Sequence, residues 1–504
     1  MSVINIIKLM MASTLTCMVY ACDFTEKNID PNSPTSIEPG PLLTYTQLHT
    51  TTGGIAKNIQ VGTCMMLVQQ AASLNNDMPG DKYYQMESYA NTFFTDTYSD
   101  LIKNWRELEE KASSDAKYSN ILGATKIWGA YLFQRLTDIY GNVPYSEAGL
   151  GYYQQIYKPK YDNQETIYKD MIQQGVNLLN ANNPAIDGDL FYDGDINKWK
   201  KFGGSLLLRI GMRLSEVAPD LAKQTVADAV TIGVMSQPED ICLLRHDGSG
   251  KNAFKNPLSF RYLDDNFIES DAVKIGKTFM DYLKKTKDPR IHVYCSLKDG
   301  NTEFDKQFGL PNGYDSHTIA DAPSGSFVGL ENTSNFNINT ILRLDAPTIF
   351  LMPSETKLLL AEAVLRNWTN GNAEVLYKEA ITSSMKEQEI AYGTQGKITD
   401  EEIETYLAQN LFSTANNTEK LQIIGEQYWV ATFINGYESY ANWRRTGYPK
   451  LIPTNYSGSM SPGVIPTRLP YPTDEYSINR ANVDTANQQQ GADKVTTHIW
   501  WDID

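Results

Sequence analysis

The chain has 504 residues, 41% of them hydrophobic, enough apolar side chain for a large core, so wholesale disorder is excluded. Its 44 basic against 60 acidic residues leave a net charge of −16, and no Lys/Arg-rich run appears, which argues against a nucleic-acid partner. Thirty tyrosines and eight tryptophans are a surplus of amphipathic rings, the kind that stack on the apolar faces of sugars while their polar tips stay wet.

Residues 1–21 read as a secretory signal: Lys8 is the only charge, and the apolar run Leu9–Tyr20 is too short to span a bilayer. The run ends in Val19-Tyr20-Ala21-Cys22, which resembles a bacterial lipobox and makes Cys22 the expected site of lipidation. A plain signal peptide with a chance cysteine is the alternative. Residues 22–41 contain Pro31, Pro34, Pro39 and Pro41 and are expected to form an extended tether. Asp23 and Glu26, just after the cysteine, resemble signals for export to the outer face of the outer membrane.

From Leu42 onward three- and four-residue apolar spacing dominates. It predicts helices at Ile55–Leu74 and Tyr89–Lys111, then a long one in the stretch Asn120–Ala148, on Ile121, Ala124, Trp128, Leu132, Leu136 and Ile139. Gly141 and Pro144 end that helix in a left-handed cap. Asp138 sits in its final turn, where the helix dipole disfavours a carboxylate by a few tenths to ~1 kcal/mol. A buried arginine or backbone N–H groups would compensate; the bland alternative is an exposed aspartate. Further helices are expected at Glu165–Leu179 and Lys198–Glu216, where Arg209 and Arg213 share a face. Asp193, Asp195 and Asn197 have calcium-loop spacing, but Lys198 replaces the turn glycine and Gly204 the closing glutamate, so Asp195 reads better as a helix cap.

Residues 236–345 change character, rich in Asn, Asp, Gly, Ser and Pro with one helical stretch at Ser270–Lys285; they read as an irregular insert, the usual home of binding loops. Helices return at Ser354, a plausible N-cap with Glu355 suited to the dipole. Glu362 interrupts an apolar stretch there and needs a partner if buried. Helices at Ala373–Lys386, Asp400–Asn410 and Leu421–Trp443 follow, and Trp500-Trp501 reads as a packing anchor for the chain end.

Several stretches together carry a family resemblance: TDIYGNVPYSEA at 137–148, FTEKNIDPNSPT near the start, WKKFGGSLLLRIGMRLSE, PSETKLLLAEAVLRNW, EQYWVATFINGYESYANWRRTGYP and IPTRLPYPTDEYSINRAN. In order and over the whole mature chain, they resemble the SusD/RagB family of nutrient-binding outer-membrane lipoproteins. The resemblance implies a mainly α fold, a tetratricopeptide-like paired-helix superhelix with an irregular ligand-binding insert, over residues 42–504. It implies a lipid-anchored protein on the extracellular face of the outer membrane. Such a protein has no catalytic activity and no cofactor, captures a glycan or other nutrient, and passes it to a SusC-like TonB-dependent transporter. Asp138, Gly141, Pro144, Tyr145, Glu362, Arg444 and Arg445 are its signature positions, expected to be structural, with at least one carboxylate paired to an arginine.

Catalytic and metal motifs are absent from the pattern. The five histidines are scattered without an HExxH, and the five cysteines form no C-x-x-C, so Cys64, Cys242 and Cys295 are expected to be buried small hydrophobes. A surface glycoside hydrolase, needing two carboxylates ~5–10 Å apart, and a helical adaptor are the rival readings. Ligand contacts are expected from rings in helix-breaking segments: Tyr83 and Tyr84 in one, and Phe260, Tyr262 and Tyr314 beside Asp264, Asp265 and Asn312 in the insert.

Overall fold

The computed structural model describes residues 37–51, 55–76, 78–171, 173–251, 254–264, 273–412 and 416–503; the signal segment, Cys22 and Asp265 lie outside them. Nine of the helices among the described residues carry the scaffold. They are α1 (Pro39–His49), α2 (Lys103–Ser113), α3 (Ser119–Tyr140), α4 (Ile196–Arg213), α5 (Pro219–Ile232), α6 (Pro353–Leu365), α7 (Ala373–Tyr392), α8 (Asn417–Ala431) and α9 (Gly436–Thr446). Packing joins α1 to α2 across an intervening stretch of chain, and it joins α2 to α3, α4 to α5, α6 to α7 and α8 to α9 through short connections, so these consecutive helices are neighbours in space. Helix α3 lies inside this stack and is buried on every side. Strands are two to four residues long and form antiparallel pairs. The pair Cys242–Leu244 with Thr348–Leu351 brings the two ends of the insert together, so its irregular chain leaves and re-enters the scaffold at one place.

Several boundaries differ from the sequence expectation for identifiable reasons. Helix α1 begins at Pro39, inside the expected tether, because proline fits the first turn, where no backbone N–H is needed. The expected Ile55–Leu74 helix is a π-helix to Met65, after which Ala71–Ala72 pairs with Lys274–Ile275. That strand also delays the insert helix to Lys277–Thr286. The stretch Leu421–Trp443 is two helices, broken where Ile434 takes a φ of +70°. Met352 rather than Ser354 is the N-cap of α6, with Pro353 at the first helical position. Ser354 is thus inside the helix, and Glu355, in the first turn as expected, is buried against Arg209. Asp195 does cap α4, accepting the Asn197 and Lys198 backbone N–H groups at 2.9 and 3.1 Å.

The signature charges bind the helices to one another. Glu362 on α6, 3% exposed, accepts Nη1 and Nη2 of Arg445 on α9 at 2.7 Å each, and Nε of Arg366 at 2.9 Å. Burial alone would raise its pKa, but the two guanidiniums hold its carboxyl below the usual range. Asp138 is buried in the last turn of α3. Its Oδ1 accepts Tyr168 Oη and Trp501 Nε1, the latter at 3.1 Å, and its Oδ2 lies 3.5 Å from Arg213. Burial outweighs Arg213 and pushes the Asp138 carboxyl up. Side chains, not backbone N–H groups, answer the dipole here. Arg213 also donates to Glu438 at 2.7 Å, joining α4 to α9.

Among the described residues Arg444 forms no ion pair with a carboxylate: it donates to the Thr467 carbonyl at 2.8 Å and stacks on Tyr440 and Trp501, 3.9 and 4.7 Å from their ring centres. Gly141 has a φ of +82°, and a Cβ there would sit 1.7 Å from Gln490 Oε1. Its ψ of −116° is outside the left-handed helical well, so the expected cap geometry is replaced by an open turn. Pro144 then enters a short strand against Tyr161–Asp162, and Tyr145 bonds Asp170 at 2.9 Å. Trp501 is 1% exposed and anchors the chain end. Cys64, Cys242 and Cys295 are free and buried.

Candidate functional site

Three loops far apart in sequence, around residues 73–84, 308–318 and 452–460, meet through buried polar groups. Asp81 and Lys82 pair at 2.9 Å with both side chains fully buried. Lys82 also donates to the Ser73 carbonyl at 2.6 Å, and Asp81 accepts the Gly313 N–H at 3.2 Å. Desolvation pushes the Asp81 carboxyl up against the pull of Lys82. Thr454 Oγ1 donates to the Asp81 carbonyl at 2.7 Å, and Asn312 Nδ2 donates to that of Ala71 at 2.7 Å. A half-satisfied network of this kind would be costly, so these contacts fix the loops in one arrangement.

Tyr83 and Tyr84 take opposite roles within it. Tyr83 and Gln85 have φ values of +54° and +47°, and such strain in non-glycine residues persists only where the surroundings over-determine it. The turn sends the Tyr83 ring inward to 0% exposure, where its Oη accepts the Thr454 N–H at 3.3 Å and its carbonyl accepts the Met460 N–H at 2.7 Å. Tyr84 is turned outward, half-buried, and meets Tyr456 edge to face at 5.7 Å and 69°. Gly458, at φ +83°, lies against the Tyr84 ring, where a Cβ would come within 3.3 Å of the ring edge.

Tyr456 donates its hydroxyl to Asp315 Oδ2 at 2.8 Å. Asp315 Oδ1 accepts the N–H groups of His317 and Thr318 and the Thr318 hydroxyl, all within 2.9 Å. Against its desolvation, these bonds hold the Asp315 carboxyl well below the usual range. Tyr314, half-buried, packs with Phe327 and Leu330 over Leu74 and Leu310. The result is a half-open ring pair, Tyr84 and Tyr456, over a rigid polar floor, with Tyr314 half-buried next to the Asp315 that Tyr456 bonds.

The expected ligand residues therefore divide. Tyr84 belongs to the ring pair, and Tyr314 stands on the adjoining loop. Tyr83 lies beneath the pair and holds it together, which corrects its expected role as a direct contact, while Asn312, half-buried, ties its loop to Ala71. Tyr262 is 2% exposed and packs 5.8 Å from Phe336, so its ring has no face to offer a ligand. Phe260 is half-buried and Asp264 ends the helix Pro257–Asp264. Tyr456 and Asp315 escaped sequence reading, although Tyr456 sits in the breaker-rich run Pro453–Ser459, the same signal that singles out Tyr84. Among the described residues no group of three or more His, Cys, Asp or Glu side chains has metal-binding geometry.

Paired helices carrying half-open rings on irregular loops define the class: a helical-repeat scaffold with a loop-built face. A family profile described as "Starch-binding associating with outer membrane" matches residues 31–472, and the chain belongs to this SusD-like family. Among solved structures it is similar to a chitin-binding protein, with 31% identity and a TM-score of 0.81, covering 93% of this chain and 100% of that one. It is also similar to a Bacteroidetes SusD-like protein at 25% identity and a TM-score of 0.82, with coverages of 93% and 100%. A chitin-binding SusD homologue from Flavobacterium johnsoniae, 23% identical, shares the fold with a TM-score of 0.76 over 92% of this chain and 98% of that one. No curated protein sequence matches.

Proposed function

We propose that the protein is a cell-surface glycan-binding lipoprotein, without catalytic activity, that delivers its ligand to a SusC-like TonB-dependent transporter in the outer membrane. The observation that carries this reading is the half-open Tyr84–Tyr456 ring pair, with Tyr314 on the adjoining loop, in a chain of the SusD-like family. Half-open rings supply stacking area for pyranose faces. The carboxylate beside them, Asp315, has both oxygens engaged in holding the loops, which favours binding over hydrolysis. Because the 31%-identical neighbour is named a chitin-binding protein, chito-oligosaccharides are the first ligands to test.

Calorimetry with the mature protein checks the ring pair. Tyr84→Ala and Tyr456→Ala should each weaken binding by ~0.5–1.5 kcal/mol, the range of one aromatic contact, with little change in melting temperature for Tyr84→Ala. Unaltered affinity in both variants moves the site elsewhere.

Anchoring is assigned to Cys22, and no helix among the described residues is long and apolar enough to cross a membrane. More than one acyl chain holds a protein durably on a bilayer where one does not. Cys22→Ala should incorporate no fatty acid and leave the membrane fraction. Palmitate labelling that persists in this variant refutes the assignment.

A further inference from the structure

The segment after α9 builds two surfaces. Gly447, at φ +66°, ends α9 in the left-handed conformation and turns the chain away from the helix. Tyr448 is then fixed twice. Its N–H donates to Thr446 Oγ1 at 3.2 Å, and its Cβ packs on Gly425 of α8, where an added Cβ would come within 2.7 Å of it. The chain runs on to Tyr456 of the ring pair and returns at Val464, whose N–H donates to the Ser461 carbonyl at 3.2 Å.

Tyr448, Leu451 and Val464 line a cleft of about 790 Å³ that none of Tyr84, Tyr314 and Tyr456 lines. That volume falls within the ~300–1,000 Å³ of small-ligand sites. Trp443 of α9 and Ile503 complete an apolar wall, in which Val464 and Ile503 are 47% and 48% exposed and both rings are half-buried. Polar groups of both signs share the lining. Arg366 pairs with Glu216 at 2.6 Å, His498 lies 3.3 Å from Asp502, and Lys450 stands exposed, 4.6 Å from the Tyr448 ring centre.

Such a wall suits a ligand with apolar faces, and a lining of both charge signs favours a neutral one that donates and accepts hydrogen bonds. A sugar chain has both properties: pyranose faces for Trp443 and Tyr448, and hydroxyls for the charged groups beside them. A protein partner would find neither an apolar core depleted of charge nor a patch of one sign. We propose that this cleft is a second carbohydrate subsite, which holds a neutral oligosaccharide stretch by Trp443 and Tyr448 while the Tyr84–Tyr456 pair holds another. The assignment rests on the glycan reading of the protein and adds to it a second place of contact on the same 447–465 segment.

Calorimetry of the mature protein with chitotriose, cellotriose and maltotriose reads the number of sites. At least one of these trisaccharides should bind at two per chain. Tyr84→Ala combined with Tyr456→Ala should leave one site, and Trp443→Ala should leave the other. A single site that vanishes with the two tyrosines overturns the cleft and keeps the ring pair. A single site that vanishes only with Trp443 keeps the cleft and overturns the ring pair. Two sites that survive Trp443→Ala, or no binding of any of the three sugars, overturn the proposal. Should Trp443→Ala not fold, crystals of the unaltered protein soaked in the same sugars decide. Sugar density against Trp443 and Tyr448 is expected; density at Tyr84 and Tyr456 alone, or none, overturns the cleft.

Discussion

Replacing Glu362 by alanine is expected to lower the unfolding free energy by about 3–5 kcal/mol, the cost of stranding one partner of a buried pair. The reason is Arg445, whose side chain is 2% exposed and whose two terminal nitrogens both point at Glu362. Once Glu362 is gone, only the Asn442 side-chain oxygen and Ser215 Oγ remain, neutral acceptors for a buried cation. Arg366 is not stranded, because it keeps Glu216 at 2.6 Å at the surface. Glu216→Ala is therefore the control, with an expected loss under about 1 kcal/mol, as for exposed pairs generally. Removing both charges, Glu362→Leu with Arg445→Met, should recover most of the loss, since well-packed apolar side chains replace a buried pair at little cost. Denaturant titration of the three variants reads all of this. A loss below 1 kcal/mol for Glu362→Ala would mean that the pair contributes no more than a surface bridge.

Much of this scaffold was legible because periodicity and punctuation agree. Apolar spacing places α3, and Gly141 and Pro144 mark its end. A carboxylate in a final turn demands compensation, which is why Asp138 signals a buried partner before Arg213 is seen beside it. Long-range pairing is what the sequence does not display. Arg213 and Trp501 approach Asp138 from distant parts of the chain, and nothing local announces either.

The ring pair shows the same division. Breaker-rich composition points to the 73–84 loop, but Tyr83 and Tyr84 are chemically identical neighbours. Their opposite directions follow from positive φ at Tyr83 and Gln85, a conformation that no residue type there advertises. Tyr456 completes the pair from a loop near the other end of the chain, so its role depends on the fold and not on its local sequence.

Stability should also depend on pH through Glu387 of α7, and the glutamine variant isolates the effect. Glu387 is fully buried, and burial pushes its carboxyl up to about 7, opposed by hydrogen bonds from the Ser354 N–H at 2.8 Å and hydroxyl at 2.6 Å and, less strongly, by Lys357. The native state therefore holds this proton more tightly than the unfolded chain, whose glutamate titrates near 4.5. Its contribution to stability is complete below about pH 4.5 and is lost as the pH climbs through 7. At about 1.4 kcal/mol per pH unit, the step from 4.5 to about 7 corresponds to roughly 3 kcal/mol.

Glu387→Gln keeps an oxygen for the Ser354 N–H and cannot ionise. Unfolding free energies of the two proteins, compared from pH 4.5 to pH 8, should diverge by roughly 3 kcal/mol in favour of the variant. Glu355, also pushed up to about 7 by burial against the pull of Arg209, titrates in both proteins, and its charge adds to the upward push on Glu387. A difference that stays flat across this range would show that Glu387 ionises in the folded protein at the same pH as in the unfolded chain, with Ser354 and Lys357 offsetting its burial.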